Sequence, residues 1–294
     1  MTEIEKHSGI AIDFGGTKIA AARVENGIIV ERIQTRTDGD ASVGDQISAI
    51  TNLAYQLDIS QQDRLAVAVS GRVSSDGVWH ALNTETLTKV EAVPLRDILS
   101  DAFSRPVKIE NDATAAAFGE YLAGACRGYE ACGFITVSTG IGGGIILSGK
   151  PVISKTGLAG HMGFSTSRIA KEVCGSGRDK TIESIASGKA IARYARKSGH
   201  TDMDAKAVFE AHLDGVDWAT DLIETSAKAV AELCANLAAI LDLEIIALGG
   251  SIGLAQGYLD LVQDALMSEP EIFRPKLAQA ELGADAALIG VLAL

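Results

Sequence analysis

The chain has 294 residues, of which 47% are hydrophobic, enough for one large domain or two of ordinary size. Its formal net charge of −12 disfavours nucleic acid or an anionic membrane as the main partner. No apolar run is long enough to span a bilayer, no targeting signal opens the sequence, and the four cysteines include no C-x-x-C pair. We therefore expect a soluble cytoplasmic protein with no membrane or nucleic-acid partner.

The first part of the chain has the pattern of one α/β layer. Asn26-Gly27 suits a tight hairpin turn between the second and third strands. Apolar periodicity predicts, in chain order, strands at 8–14, 17–24 and 28–35, a helix at 43–57, strands at 64–70 and 107–111, and a helix at 112–122.

The second part of the chain has a similar order of predicted elements. The elements predicted there are a strand–glycine turn–strand unit at 133–149, a long helix at 217–242, a strand at 244–250 and helices at 253–267 and 284–294. Two halves that each begin with strand, glycine turn and strand indicate a duplicated domain with a cleft between the copies. We expect an N-terminal domain of residues 1–118, on which the last helix, 283–294, packs back, and a C-terminal domain of residues 119–282.

The turn DFGGTK combines residue types that suit a phosphate group. A tight turn between strands directs backbone N–H groups at one place, and glycine lets a ligand approach closely. Threonine and lysine add donors, and the aspartate could hold a hydrated Mg²⁺. A plain hairpin is the ordinary alternative, and the spacing is not that of a Walker loop. The candidate residues are Asp13, Gly15, Gly16, Thr17 and Lys18.

Two segments of the second half are further candidates for nucleotide binding. STGIGGG is the counterpart of the first turn, although alone it could be a glycine loop without function. Two donor-rich turns suit a polyphosphate. LGGS ends an apolar strand and opens a helix, a place for ribose or base, but singly it is a weak signal. The candidate residues are Ser138, Thr139, Gly140, Gly142, Gly143, Gly249, Gly250 and Ser251.

A carboxylate next to an amide follows a strand at Asn111-Asp112. Asp112 alone would favour an N-cap role for the helix that follows. The carboxyl end of a strand is also where a base for a sugar hydroxyl would lie. Both interpretations of Asp112 therefore stay open.

The whole chain resembles the ROK sugar kinases of the actin/hexokinase-like ATPase superfamily. Within that family it is most similar to the members that phosphorylate N-acetylmannosamine. The stretches that carry this similarity are FITVSTGIGGG, GLAGHMG, IESIASGKAIA and LGGSIGLAQGYLDLV. The resemblance implies two α/β domains of the actin/hexokinase-like (RNase H-like) type with a cleft between them. It also implies phosphorylation of the 6-hydroxyl of N-acetylmannosamine by ATP with Mg²⁺, in sialic-acid or amino-sugar catabolism, by a homodimer.

The resemblance also assigns roles to individual positions. The two glycine turns would bind the phosphates of ATP, and Gly249, Gly250 and Ser251 would lie beside the adenosine. Asp112 would be the catalytic base. The other sugar-binding positions would be Gly71, Arg72, Asn83, Asn111, His161 and Glu183.

Other functions fit the residues less well. Many family members have a sugar-binding glutamate three residues before the histidine, where this chain has Leu158, which disfavours glucokinase. A sugar-sensing ROK regulator needs a DNA-binding helix-turn-helix before the kinase-like core, and only twelve residues precede Asp13. A non-catalytic actin-like assembly protein would have no use for the Asn111-Asp112 pair.

The segment VCGSGRDKTIE departs from the family. Relatives have the pattern C-x-C-G-x-x-G-C-x-E, whose three cysteines bind zinc with an upstream histidine. Aligned on Glu183, those cysteine positions are Cys174, Ser176 and Thr181. A hydroxyl stays protonated at neutral pH and is a poor zinc ligand, so we expect no structural zinc. Hydrogen bonds from Ser176 or Arg178, with a helix beginning at Thr181, are expected to order the segment instead.

Overall fold

The computed structural model describes residues 7–60, 63–82 and 89–294. The strands in this part of the chain are β1 (Gly9–Phe14), β2 (Lys18–Glu25), β3 (Ile28–Arg36), β4 (Arg64–Val69), β5 (Arg72–Val73), β6 (Trp79–His80), β7 (Val107–Asn111), β8 (Ala131–Val137), β9 (Ile141–Leu147), β10 (Lys150–Pro151), β11 (Ile245–Gly249) and β12 (Lys276–Gln279). The α-helices are α1 (Val43–Tyr55), α2 (Leu95–Phe103), α3 (Asp112–Ala123), α4 (Glu183–Ala186), α5 (Gly188–Lys197), α6 (Ala205–Leu213), α7 (Asp217–Leu241), α8 (Gly250–Gly253), α9 (Tyr258–Leu266) and α10 (Ala286–Ala293).

The first sheet has the strand order β3-β2-β1-β4-β7. β1 pairs antiparallel with β2 and parallel with β4, and β4 pairs parallel with β7. Asn26 and Gly27 have φ angles of 51° and 78°, which is the left-handed geometry of the hairpin turn predicted between β2 and β3. The central strands β1 and β4 are buried apolar runs, as expected for parallel strands covered on both faces.

The second sheet has the order β10-β9-β8-β11-β12. β11 pairs parallel with both β8 and β12. Each sheet thus combines a strand–glycine turn–strand unit with parallel strands that are reached through helices, so the predicted α/β class is confirmed.

The described residues divide into two compact units. The first takes in the described residues up to Gly128 together with Gly144–Gly160 and Leu282–Leu294, and the second is Tyr129–Gly143 with His161–Glu281. In the first unit, α10 packs closely on α3. Gly290 permits this approach, since a Cβ at that position would clash with the carbonyl oxygen of Ala115. The domain limits expected from the sequence stay a prediction.

One predicted helix is shorter than the sequence pattern indicated. The pattern predicted a continuous helix at 253–267, but α8 ends at Gly253 and α9 begins at Tyr258. Gly257 between them has a φ of 79°, a left-handed conformation that interrupts the helical path. Among the described residues, no helix is long and apolar enough to cross a membrane.

Candidate functional site

Two carboxylates of the first unit lie at the same edge of its sheet. Asp13 is near the end of β1, and Asp112 is the first residue of α3, directly after β7. β1 and β7 flank β4 on either side, and all three are parallel, so their carboxyl ends meet at one edge. Ligands of open α/β sheets bind at this edge.

Burial raises the pKa of both carboxyls, and the charge of Asp13 adds to the shift at Asp112. Burial raises the pKa of Asp13 to about 6, with Lys18 and Arg32 opposing the shift. Burial, followed by the negative charge of Asp13, raises the pKa of Asp112 to about 7. The pair therefore resists holding two negative charges near neutral pH. A group with a pKa near 7 suits proton transfer at that pH.

Asn111, and not Asp112, is the N-cap of α3. The Asn111 Oδ1 accepts a hydrogen bond of 2.9 Å from the Thr114 N–H. The Asn111 Nδ2 donates to the Gly71 carbonyl at 2.8 Å and to the Asp112 Oδ1 at 2.9 Å. The Ala113 N–H donates to the same Asp112 Oδ1 at 2.8 Å, which fixes the orientation of the carboxylate. The cap interpretation of Asp112 is therefore wrong, and the capping amide next to it orients its side chain.

Two other predicted sugar-binding residues of the first unit have structural contacts of their own. Gly71 has a φ of 102°, and a Cβ there would lie 2.5 Å from the His80 carbonyl oxygen. The guanidinium of Arg72 donates to the Thr156 carbonyl at 2.6 Å. Asn83, the remaining predicted sugar ligand of this region, lies outside the described residues.

The Asp13–Lys18 turn uses part of its hydrogen-bonding capacity internally. The Gly15 N–H donates to the Lys18 carbonyl at 3.0 Å, and the Thr37 hydroxyl donates to the Gly15 carbonyl at 2.7 Å. Thr17 and Lys18 are exposed, and Gly16 is half-buried. The Gly15 N–H therefore helps to close the turn, while the Thr17 hydroxyl and the Lys18 ammonium face solvent as donors.

Two of the predicted nucleotide-binding segments meet in the second unit. β8 and β11 are parallel neighbours, so the turn after β8 and the start of α8 after β11 lie at one edge. The Oγ atoms of Ser138 and Ser251 are 3.1 Å apart. The Ser138 and Thr139 carbonyls accept hydrogen bonds from Gly188 and Lys189, which anchors the turn to the beginning of α5. The structure thus brings together STGIGGG and LGGS.

The glycines of these segments are also required by packing. Gly249 lies against the Phe134 ring, and Gly250, with a φ of 84°, lies against the Val137 carbonyl oxygen, 2.5 Å from where its Cβ would be. Gly142 is half-buried in β9. Close packing alone would account for Gly249 and Gly250, whatever ligand the segment binds.

Glu183 contacts the glycine turn of the second unit. Glu183 is the first residue of α4, and its Oε2 accepts a hydrogen bond of 3.1 Å from the Ile141 N–H. A Cβ on Gly140 would lie 2.7 Å from the same oxygen. α4 begins after Thr181, where the helix was expected to start, and the Thr181 hydroxyl oxygen accepts from the Ser184 N–H at 3.1 Å.

The 3-10 helix that follows His161 packs against the same strand as Glu183. His161 precedes this 3-10 helix, Met162–Phe164, and its ring is stacked with the Phe164 ring at a centroid distance of 6.1 Å. Glycines allow this short helix to pack on β9: a Cβ on Gly143 would lie 2.7 Å from the Met162 sulfur, and one on Gly163 would lie 2.3 Å from the Ile141 carbonyl oxygen. Glu183 and the residues directly after His161 therefore both contact the first residues of β9.

The cysteine segment is ordered by hydrogen bonds. The Cys174 sulfur lies 3.0 Å from the Ser176 hydroxyl oxygen, as expected for Ser176. Arg178 contributes its backbone carbonyl, which accepts from the Cys174 N–H at 3.0 Å. In the part of the chain that the structure describes, no group of three or more histidine, cysteine, aspartate or glutamate side chains could hold a metal ion. The sequence pattern did not point to Glu232 on α7, which accepts hydrogen bonds from Ser167 and Arg168, before the cysteine segment begins.

Comparison with known proteins gives one consistent result. The ROK family model matches residues 9–294. An N-acetylmannosamine kinase of Haemophilus influenzae is 40% identical over 281 residues, which cover 96% of this chain and 93% of that protein. The bifunctional enzyme NanE/NanK of Brucella melitensis is 41% identical over 284 residues, 96% of this chain. The chain spans about half the length of that bifunctional relative, 52%.

The fold is also similar to that of a solved kinase. A ROK family glucokinase from Streptomyces griseus, crystallised with glucose and AMPPNP, superposes with a TM-score of 0.77 at 28% identity. The match covers 97% of this chain and 98% of the glucokinase.

Proposed function

Since this chain belongs to the ROK family, whose sugar kinases have the actin/hexokinase-like fold, we propose that it transfers the γ-phosphoryl group of ATP to the 6-hydroxyl of N-acetyl-D-mannosamine. The product would enter sialic-acid or amino-sugar catabolism. The choice of sugar is supported by the Haemophilus influenzae relative, and the choice of donor by the AMPPNP bound to the glucokinase. The observation that carries the reaction type is the Asp112 carboxylate, oriented by Asn111 and with a pKa of about 7.

Asp112 is the proposed general base. It accepts the proton of the 6-hydroxyl as the sugar oxygen forms a bond to the γ-phosphorus and the bond between that phosphorus and the bridging oxygen of ADP breaks. Asn111 keeps the carboxylate oriented through the hydrogen bond to Oδ1. Most of the rate enhancement in such a transfer comes from positioning and charge stabilisation, and the base adds about 10²–10⁴-fold.

Mg²⁺ fits the carboxylates of the first unit. Mg²⁺ in kinases is usually held by one or two carboxylates together with substrate phosphates. Asp13 and Asp112 are hard oxygen donors whose mutual repulsion a divalent cation would offset. Asp13 is the proposed protein ligand, and the bound ion would neutralise phosphate charge. Lys18 and Thr17 would add donors to the phosphates.

In the second unit, His161 and Glu183 are the proposed ligands of the sugar ring hydroxyls. The turn at Ser138–Gly143 is the proposed phosphate-binding segment, and Gly249, Gly250 and Ser251 would contact the adenosine. The contact between Ser138 and Ser251 supports a shared nucleotide role for these segments. A homodimer is proposed by analogy with the family, and sedimentation analysis of the purified chain tests it.

The second candidate function is phosphorylation of glucose or another hexose. The observation in its favour is the similarity to the Streptomyces griseus glucokinase. Leu158 speaks against it, because an apolar side chain, 54% exposed, stands where many family members have a sugar-binding carboxylate. A sugar-sensing regulator has no need for an oriented base and is the weaker alternative.

A coupled assay of ADP release over a panel of sugars tests the proposal. The panel contains N-acetylmannosamine, N-acetylglucosamine, glucose and mannose, each at saturating ATP and Mg²⁺. N-acetylmannosamine should give the highest kcat/KM, by a wide margin over glucose. Comparable efficiency with glucose would restore the hexokinase interpretation, and ADP release that does not depend on any sugar would exclude both.

A further inference from the structure

A buried glutamate on α7 binds the segment that links His161 to Glu183. Glu232 is 8% exposed and lies far from this segment in sequence. Its Oε2 accepts from the Ser167 hydroxyl at 2.7 Å, and its Oε1 accepts from the Arg168 N–H at 2.9 Å and from the Arg168 Nε at 3.2 Å. A buried carboxylate that satisfies several donors of one loop fixes that loop's position, since moving it would leave those donors unpaired.

The bonded segment continues directly into the two proposed sugar ligands. The Ser167 N–H donates to the Lys180 carbonyl, and the Ile182 N–H donates to the Ser165 carbonyl, both at 2.9 Å. An antiparallel bridge joins the residues between these two bonds, Thr166 and Thr181. This short ladder, residues 165–167 paired with 180–182, ends immediately before Glu183.

On its other side, the ladder is continuous with the segment that carries His161. The Ser165 N–H and hydroxyl both donate to the Met162 carbonyl, at 3.0 Å and 2.6 Å. The Phe164 N–H donates to the His161 carbonyl at 3.1 Å. A shift of the ladder would therefore move the backbone on either side of it, towards His161 and towards Glu183.

The same helix also fixes the far end of α4. The Ser226 hydroxyl donates to the Ala186 carbonyl at 2.9 Å and lies 2.7 Å from the Tyr258 hydroxyl oxygen. Ser226 and Tyr258 are fully buried. α7 thus holds Glu183 from two directions, through Ser226 after α4 and through Glu232 before it.

We propose that Glu232 is a positioning residue for sugar binding, which sets the relative placement of His161 and Glu183 by fixing the ladder. This inference rests on the proposed role of those two residues as sugar ligands. The acceptor position of Glu232 is essential, and its charge is secondary. Two of its donors, the Ser167 hydroxyl and the Arg168 backbone N–H, are uncharged, and the third, the Arg168 guanidinium, belongs to a side chain that is 72% exposed. The outer ion pair of Arg168 with Glu269 contributes little, since the Arg168 side chain is 72% exposed.

Three substitutions of Glu232 distinguish the effect of side-chain length from the effect of side-chain charge. Glu232→Gln keeps the length and one carbonyl acceptor, Glu232→Asp keeps the charge but is too short to reach, and Glu232→Ala removes both. Glu224→Gln is the matched control, because Glu224 lies on the same helix and its ion pair with Lys228 is at the surface. For each variant, the measurements are the calorimetric Kd for N-acetylmannosamine without nucleotide, the KM for ATP, and Tm.

We expect Glu232→Ala to weaken sugar binding about tenfold or more, in line with the large effects of small misplacements in binding sites, while the KM for ATP changes less. Glu232→Gln should bind the sugar better than Glu232→Asp, and Glu224→Gln should behave as wild type. If Glu232→Ala does not fold, Ser167→Ala replaces it, with a smaller loss of sugar affinity expected.

Two results overturn the positioning role while leaving the proposed function intact. One is a variant with lowered Tm but wild-type sugar Kd measured well below that Tm, which would make Glu232 merely structural. The other is Glu232→Asp binding sugar better than Glu232→Gln, which would make its charge decisive. Failure of the proposed function is recognised separately, by assaying the wild-type protein. If the wild type phosphorylates a different sugar, the Kd values of the variants are measured with that sugar. If the wild type binds no sugar, both proposals fail.

Discussion

The carboxylate edge of the first unit and the His161–Glu183 segment of the second are held in different ways. Asp112 is oriented by its immediate neighbours, Asn111 and Ala113. Glu183 and His161 depend on groups distant in sequence, such as Glu232 and Ser226 on α7. The comparison indicates that the first region is defined locally and the second by tertiary packing. Substitutions in the first should therefore alter chemistry, and substitutions around the second should alter sugar affinity.

The largest effect is expected at the locally defined carboxylate. Asp112→Asn should lower kcat by about 10²–10⁴-fold, because the amide cannot accept the proton of the sugar hydroxyl. The Kd values for sugar and ATP should stay close to those of the wild type, since the Asn Oδ1 can keep both hydrogen bonds of Asp112 Oδ1. Steady-state kinetics and calorimetry measure these quantities. A variant with near wild-type kcat would show that Asp112 is not the base.

The pH dependence of the rate should reflect the same carboxylate. kcat/KM reports the free enzyme, in which the pKa of Asp112 is raised to about 7 and that of Asp13 to about 6. kcat/KM should fall about tenfold per pH unit below pH 7 and more steeply below pH 6, as first Asp112 and then Asp13 becomes protonated. A profile of kcat/KM from pH 5 to pH 8.5 is the measurement, and a flat profile across that range would contradict the assignment.

As pH rises from about 4 to about 7, the stability of the folded protein should fall while its activity increases. An aspartate has a pKa of about 3.9 when unfolded, so a folded-state value of about 7 means that the folded protein binds more protons between these limits. The wild type therefore loses stability as pH rises from about 4 to about 7. Asp112→Asn removes this loss and should raise Tm by a few degrees at pH 8, corresponding to about 1 kcal/mol or more.

Thermal unfolding at pH 8 and pH 4.5 checks the sign of this effect. The gain of Asp112→Asn over wild type should be fully present at pH 8 and should shrink to about a quarter of that value at pH 4.5. A variant that is less stable than wild type at both pH values would show that ionised Asp112 does not destabilise the folded protein.

The smallest effect is expected from removing tightly bound metal. Cys174 contacts the Ser176 hydroxyl, and the Cys174 N–H donates to the Arg178 carbonyl, so hydrogen bonds order the segment without the three thiolates of a zinc site. Treatment with a chelator, followed by restoration of Mg²⁺, should leave activity unchanged, and elemental analysis should find far less than about one zinc per chain. About one zinc per chain would mean that other ligands complete a site and that the alignment on Glu183 is wrong.

Features that depend on neighbouring residues could be predicted from the sequence, and features that depend on tertiary packing could not. The pattern of residues located β1, β7 and α3, because short-range apolar periodicity and turn residues determine where such elements begin and end. The sequence pattern could not decide whether Asp112 is a helix cap or a catalytic base. Asparagine and aspartate are both good N-cap residues, so either Asn111 or Asp112 could have capped α3.

Long-range contacts were beyond the reach of the sequence pattern. Glu232 looks like any other polar residue in a long helix, and only the packing of α7 against residues 167–168 shows its partners. Likewise, the prediction of a helix at 253–267 followed the apolar periodicity and missed the left-handed conformation of Gly257. The contact between Ser138 and Ser251 depended on the order of strands in the second sheet.

The proposed reaction is phosphorylation of N-acetylmannosamine at its 6-hydroxyl. The most direct test is a ³¹P–¹H correlation spectrum of the products after incubation of the purified protein with ATP, Mg²⁺ and N-acetylmannosamine. The expected products are ADP and a phosphomonoester whose phosphorus couples to the protons on C6. A phosphate coupled to another sugar proton, or no phosphosugar at all under conditions in which another hexose is phosphorylated, would contradict it.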